Sequence, residues 1–172
     1  MKLTIYRIFS FLLLPIALLF AISVLLFIRA SLANPGMLIP LFIIACVTIY
    51  SFAALNFLIK GIDGKKYLGR SSKELLKVNA IVSIIFSLLM ISQCVVFIIQ
   101  PEMLHQLAVQ AKQNSGDELK ISLDVFENYL RITSYFFLAY AIVLLIHTLL
   151  SFQFVRLYNF LFQNEKGGGP GA

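Results

Sequence analysis

The chain has 172 residues, of which 60% are hydrophobic and only 13% charged, with a formal net charge of +6. Soluble domains carry about 45–50% apolar and about 25% charged residues, so a water-soluble fold of this length could not hide this much apolar surface. The positive charge does not point to nucleic acid, because the cations lie between apolar runs and not on a folded face.

A helix crosses the roughly 30 Å hydrocarbon layer in about 20 residues. Four windows free of Asp, Glu, Lys and Arg reach that length: 8–28, 37–59, 78–99 and 132–155. Backbone groups in lipid must be paired within their own segment, so each window is expected to be helical. The first could be a signal peptide, with Lys2 and Arg7 as its basic start and Ser31-Leu32-Ala33 as a small-residue cleavage site. Its apolar run is longer than the usual 7–15 or so residues, and Arg29 interrupts the approach to that site, so an uncleaved span is the better reading. Pro15 lies inside this span and should kink it or be accommodated by neighbouring groups. Asn34-Pro35-Gly36 then closes a short hairpin, making spans one and two antiparallel neighbours.

The 61–72 stretch carries the turn signals Gly61, Asp63-Gly64 and Gly69, and Ser71 with Glu74 fits a capping box that would start the third helix near Ser72. Lys65, Lys66, Arg70 and Lys73 in and beside this loop are candidate contacts for anionic lipid or a protein partner, against the plainer role of setting topology. The glycines lack P-loop spacing.

Between spans three and four, residues 100–131 form the one sizeable stretch outside the windows. Pro101 suits a first helical turn, and Met103, Leu104, Leu107, Ala108 and Ala111 recur at helical spacing up to Asn114-Ser115-Gly116. A second capping box, Ser115 with Glu118, should open another helix with Leu119, Leu123, Phe126 and Leu130 on one face. The alternation Leu119, Ile121, Leu123, Val125 is a competing strand signal, disfavoured because a lone strand would have no partner. After span four, Phe154, Leu157, Tyr158, Leu161 and Phe162 continue a helical apolar pattern into the interface. The single transmembrane domain is expected to cover 1–164, with a disordered Gly-rich tail over 165–172.

Ten of the fourteen Lys and Arg residues fall on one side: Lys2 and Arg7, the middle-loop set Lys60, Lys65, Lys66, Arg70, Lys73 and Lys77, then Arg156 and Lys166. The other side has Arg29, Lys112, Lys120 and Arg131. The positive-inside bias therefore predicts cytoplasmic termini in a multi-pass cell-membrane protein.

No charge lies within the windows, which argues against an ion-coupled carrier. Uncharged polar residues do line up: Asn79, Ser83 and Ser87 with Cys94 in span three, Tyr140, His147 and Ser151 in span four, Thr48 and Asn56 in span two. Burial in lipid without a partner is costly, so these faces should turn inward. Asn56, Asn79, Ser83, Ser87, His147 and Ser151 form the candidate intramembrane polar cluster, with His147 expected as a neutral imidazole bonded to a Ser, Thr or Asn on a neighbouring helix. Cys46 and Cys94 read as small apolar residues in helix packing. No catalytic, cofactor or metal pattern is present: there is no H-E-x-x-H, no G-x-S-x-G and no CxxC.

The stretch Asn56-Phe57-Leu58-Ile59-Lys60-Gly61-Ile62-Asp63-Gly64-Lys65-Lys66, followed by Leu76-Lys77-Val78-Asn79-Ala80, resembles that of small bacterial four-span membrane proteins without an assigned activity. The resemblance covers about a quarter of the chain and implies architecture and bacterial origin, not mechanism. The resulting expectation is an all-α polytopic membrane protein: a four-helix antiparallel bundle with a short amphipathic lobe between spans three and four. It would be a non-enzymatic accessory or interaction protein without a cofactor, surrounded by membrane lipids, with a protein partner or a second copy of itself. The alternatives are a small oligomeric transporter or channel using the polar face around His147, or a binder of lipid or a small apolar ligand.

Overall fold

The computed structural model describes residues 2–115 and 122–162, and these are overwhelmingly helical. The elements are α1 (Lys2–Ala33), a 3-10 turn (Pro35–Met37), α2 (Leu38–Asn56), a π-helical segment (Phe57–Asp63), α3 (Arg70–Ile99), α4 (Pro101–Ser115), α5 (Leu123–Leu157) and a closing 3-10 turn (Asn159–Phe162). α1, α2 with its π-helical extension, α3 and α5 are long and apolar enough to cross a membrane. Their outer faces fit lipid as the solvent. Leu19, Leu25, Phe42, Ile85, Leu89 and Ile132 are all exposed, and in water such continuous apolar surface would drive aggregation. The expected all-α four-span architecture is thus the observed one.

The chain divides into two compact units, Met1–Phe86 with Leu144–Ala172, and Ser87–Val143. In the first, α1 runs without a break through Pro15. The expected hairpin follows: the Asn34 side chain accepts from the Gly36 N–H at 3.1 Å, and the Met37 N–H reaches the Asn34 carbonyl at 2.9 Å. α1 and α2 then pack side by side.

The middle loop is shorter than its turn signals suggest. Helix persists to Asp63 because Phe57, Leu58, Gly61 and Ile62 are buried, so the wide π turn is held by packing. It ends when Lys65 enters the left-handed region (φ 49°), with the Lys66 N–H on the Lys60 carbonyl, an ending usually left to Gly or Asn. α3 starts at Arg70, which puts Ser71 inside the first turn and not at the expected cap. The Glu74 carboxylate instead takes the Arg70 guanidinium at 3.0 Å.

The far end of α5 departs from the simple helical continuation. The helix stops at Leu157, and the 3-10 turn carries Leu161 and Phe162 back into the core. The Phe162 ring stacks on Phe57 at 5.4 Å, and the Leu161 carbonyl accepts from the Leu68 N–H at 2.6 Å. An ion pair between Arg7 and Asp63 closes α1 onto the π segment. The Gly-rich tail lies outside the described residues.

In the second unit, α4 has the predicted bounds and buries Leu104 and Ala108, while Met103 and Leu107 stay exposed. α5 starts at Leu123, and Leu123, Phe126 and Leu130 are half-buried while Val125 is exposed, which is the helical alternative. The Ser115–Glu118 box and the strand positions Leu119 and Ile121 involve residues outside the described ones. Glu127 accepts from Arg131 at 3.2 Å and pairs with His105 at 2.9 Å, joining α5 to α4. Cys46 is buried in the first unit and Cys94 in the second, both as free thiols.

Gly61 is where the π segment, the loop and the tail meet: a Cβ there would lie 3.0 Å from Leu68, 3.1 Å from Phe57 and 3.6 Å from Leu161. Gly61→Val should therefore lower stability by about 1–3 kcal/mol through overpacking. Gly69→Ala, with nothing within 4 Å of its Cβ, should stay within about 0.5 kcal/mol. Thermal unfolding of both variants in the same detergent checks the contrast.

Candidate functional site

Four hydroxyls, those of Tyr6, Ser10, Tyr50 and Ser151, gather around the buried His147 in the first unit. Its ring is 1% exposed and both nitrogens are bonded, Nε2 to Ser10 Oγ at 2.9 Å and Nδ1 to the Tyr50 hydroxyl at 2.8 Å. Ser151, one turn further along α5, accepts from the Tyr50 hydroxyl at 3.0 Å and is bonded to the Tyr6 hydroxyl at 3.0 Å. The Tyr6 ring lies flat on the imidazole, centroids 4.6 Å apart and planes within 1°, and Phe154 covers its edge at 5.0 Å.

The spacing sets the register. Tyr6 and Ser10 are four residues apart on α1, and His147 and Ser151 four apart on α5, so each pair stands on one helix face. Tyr6 meets Ser151 and Ser10 meets His147, the pairing of antiparallel helices. A slip of one turn would break both bonds at once. Tyr50 ties α2 to the same two residues.

The proton positions follow by accounting. Tyr50 donates to Ser151 and Ser10 donates to the Tyr6 carbonyl at 2.8 Å, so each hydroxyl has its one proton engaged. A neutral ring donates from one nitrogen and accepts at the other, so one of the two hydroxyls shares its proton with the imidazole. A neutral imidazole satisfies this set. A charged one would be a buried ion without a carboxylate among its contacts, which hydrocarbon surroundings penalise heavily.

Of the residues proposed from sequence, the structure brings His147 and Ser151 together. Asn79 and Ser83 are buried in the same unit and donate to the carbonyls of Leu75 and Asn79, one turn back in their own helix, both at 2.8 Å. Asn56 is half-buried near the end of α2, and Ser87 is buried in the second unit. The expected hydroxyl partner for His147 exists, but it comes from span one. Tyr6, Ser10 and Tyr50 were not singled out: Tyr6 precedes the uncharged window, and Ser10 and Tyr50 fall outside the polar stripes read in spans two, three and four. The available signal was the spacing Tyr6–Ser10, which matches His147–Ser151.

The second polar feature is a hollow of about 310 Å³ between α3 and the end of α5, lined by Lys73, Lys77, Phe152, Val155, Arg156 and Asn159. Lys73 donates to the Asn159 side-chain oxygen and sits 6.0 Å from the Phe162 ring centroid. Of the four cations proposed as lipid contacts, Lys73 lines this hollow. Arg70 lines an adjoining one, and Lys65 and Lys66 are exposed in the loop. No protein-family model, curated protein or solved structure matches this chain.

Removing single bonds of the cluster tests its weight. Interhelical hydrogen bonds in membranes average about 0.6 kcal/mol, so Tyr50→Phe and Ser10→Ala should each cost about 0.5–2 kcal/mol. His147→Ala should cost about 2–5 kcal/mol, because it leaves a cavity beside buried hydroxyls. Unfolding of the reconstituted protein checks the order.

Proposed function

We propose that this is a non-enzymatic accessory or interaction protein of a bacterial cell membrane, with both termini in the cytoplasm. The orientation rests on the lysine and arginine bias of the connecting segments. The reading rests above all on the closed hydrogen-bond set around His147. A transport path needs polar groups that can exchange partners with a solute or with water. Here the two imidazole nitrogens and the hydroxyls of Tyr6, Ser10, Tyr50 and Ser151 bond to one another, so they serve helix registry. The parts able to meet other molecules are then those at the edges: the α4–α5 surface with its His105–Glu127–Arg131 group and the cationic end of α3 and α5.

Two measurements bear on this. Cross-linking in native membranes, followed by purification in mild detergent, should recover one recurrent partner in near-stoichiometric amount. Vesicles containing the protein and a trapped pH-sensitive dye should pass protons no faster than empty vesicles. Failure to recover any partner, or a proton flux abolished by Ser10→Ala, would contradict the reading.

A further inference from the structure

We infer that the hollow between α3 and the end of α5 is a binding site for the phosphodiester headgroup of an anionic phospholipid. Lys73, Lys77 and Arg156 converge on it. Among the described residues none of the three is paired with a carboxylate, whereas the neighbouring Arg70 is held by Glu74. Three unneutralised cations on one concave surface repel each other, and an anion seated among them removes that repulsion.

The donors are fixed to differing degrees. Lys73 is half-buried and anchored through Asn159. That bond occupies the Asn159 side-chain oxygen and leaves its amide N–H groups to donate. Lys77 stands four residues from Lys73, on the same face of α3. The Arg156 guanidinium supplies the planar fork that suits phosphate oxygens.

Position selects a lipid over a soluble anion. Lys77 is the last charge before the third uncharged window and Arg156 the first after the fourth, so the hollow sits where hydrocarbon meets headgroups. It is also amphiphilic. Phe152 and Val155 form its apolar wall, and a second hollow lined by Phe152, Gln153, Arg156 and Leu157 adjoins it. Leu157 is exposed there. A headgroup held by the cations would have its first acyl methylenes beside these apolar side chains. This goes beyond the accessory role proposed above and does not depend on it.

The test is native mass spectrometry of the full-length protein, released from detergent with equimolar phosphatidylglycerol and phosphatidylcholine of identical chains. The protein should retain phosphatidylglycerol preferentially, and excess inorganic phosphate should not displace it. Lys77→Gln with Arg156→Gln should weaken retention at least about tenfold, and Arg156→Lys should keep part of it. Lys65→Gln with Lys66→Gln removes the same charge from the exposed loop and should change retention by less than about twofold. Both pairs replace exposed side chains, and matched unfolding temperatures will show that the fold is kept. Equal retention of the two lipids, displacement by phosphate, or equal losses in the two double variants would overturn the assignment.

Discussion

The packing of α1, α2 and α5 in the first unit depends on one constraint: a histidine in hydrocarbon must have both ring nitrogens bonded. Hydrocarbon offers neither donors nor acceptors to complete the set, so neighbouring helices have to. Ser10 on α1 and Tyr50 on α2 meet that demand, and in doing so they fix the rotation and register of three helices that lipid alone would leave free to slide. Apolar packing discriminates poorly here, since lipid tails are as apolar as leucine. A directional bond network supplies the specificity that hydrophobic burial supplies in water.

The same unit is closed at the adjoining end by different means. There the π-helical segment, the 3-10 turn after α5 and the loop residue Leu68 interlock through Phe57, Gly61, Leu161 and Phe162. Folding the tail inward also holds Asn159 beside Lys73, so a packing event at Phe162 shapes the polar hollow between α3 and α5. The Arg7–Asp63 ion pair, being partly exposed, contributes at most about 1 kcal/mol and serves mainly as a local tie.

Much of this was legible in the residues. The four spans were, because each apolar run is free of charge over a membrane-crossing length and lipid forbids irregular backbone within it. The Asn34-Pro35-Gly36 hairpin, the start of α4 at Pro101 and the inward turn of Ser83, His147 and Ser151 followed from local chemistry. What stayed hidden depended on tertiary partners. Tyr6 lies beyond the uncharged window, so its role shows only once Ser151 is opposite it. Leu161 and Phe162 continue a helical pattern, and only the Phe57 ring decides that the chain turns instead. Ser71 and Glu74 spell a capping box, but the helix begins two residues too early for it. Lys77 and Arg156 read as the ends of spans, and nothing in their spacing reveals that they face one hollow.

The central claim is that the His147 site is a dry structural knot. Solid-state NMR of the imidazole nitrogens in lipid bilayers addresses it directly. The account predicts one neutral tautomer without exchange cross-peaks to water. A doubly protonated ring, or one that interconverts between tautomers in contact with water, would contradict it.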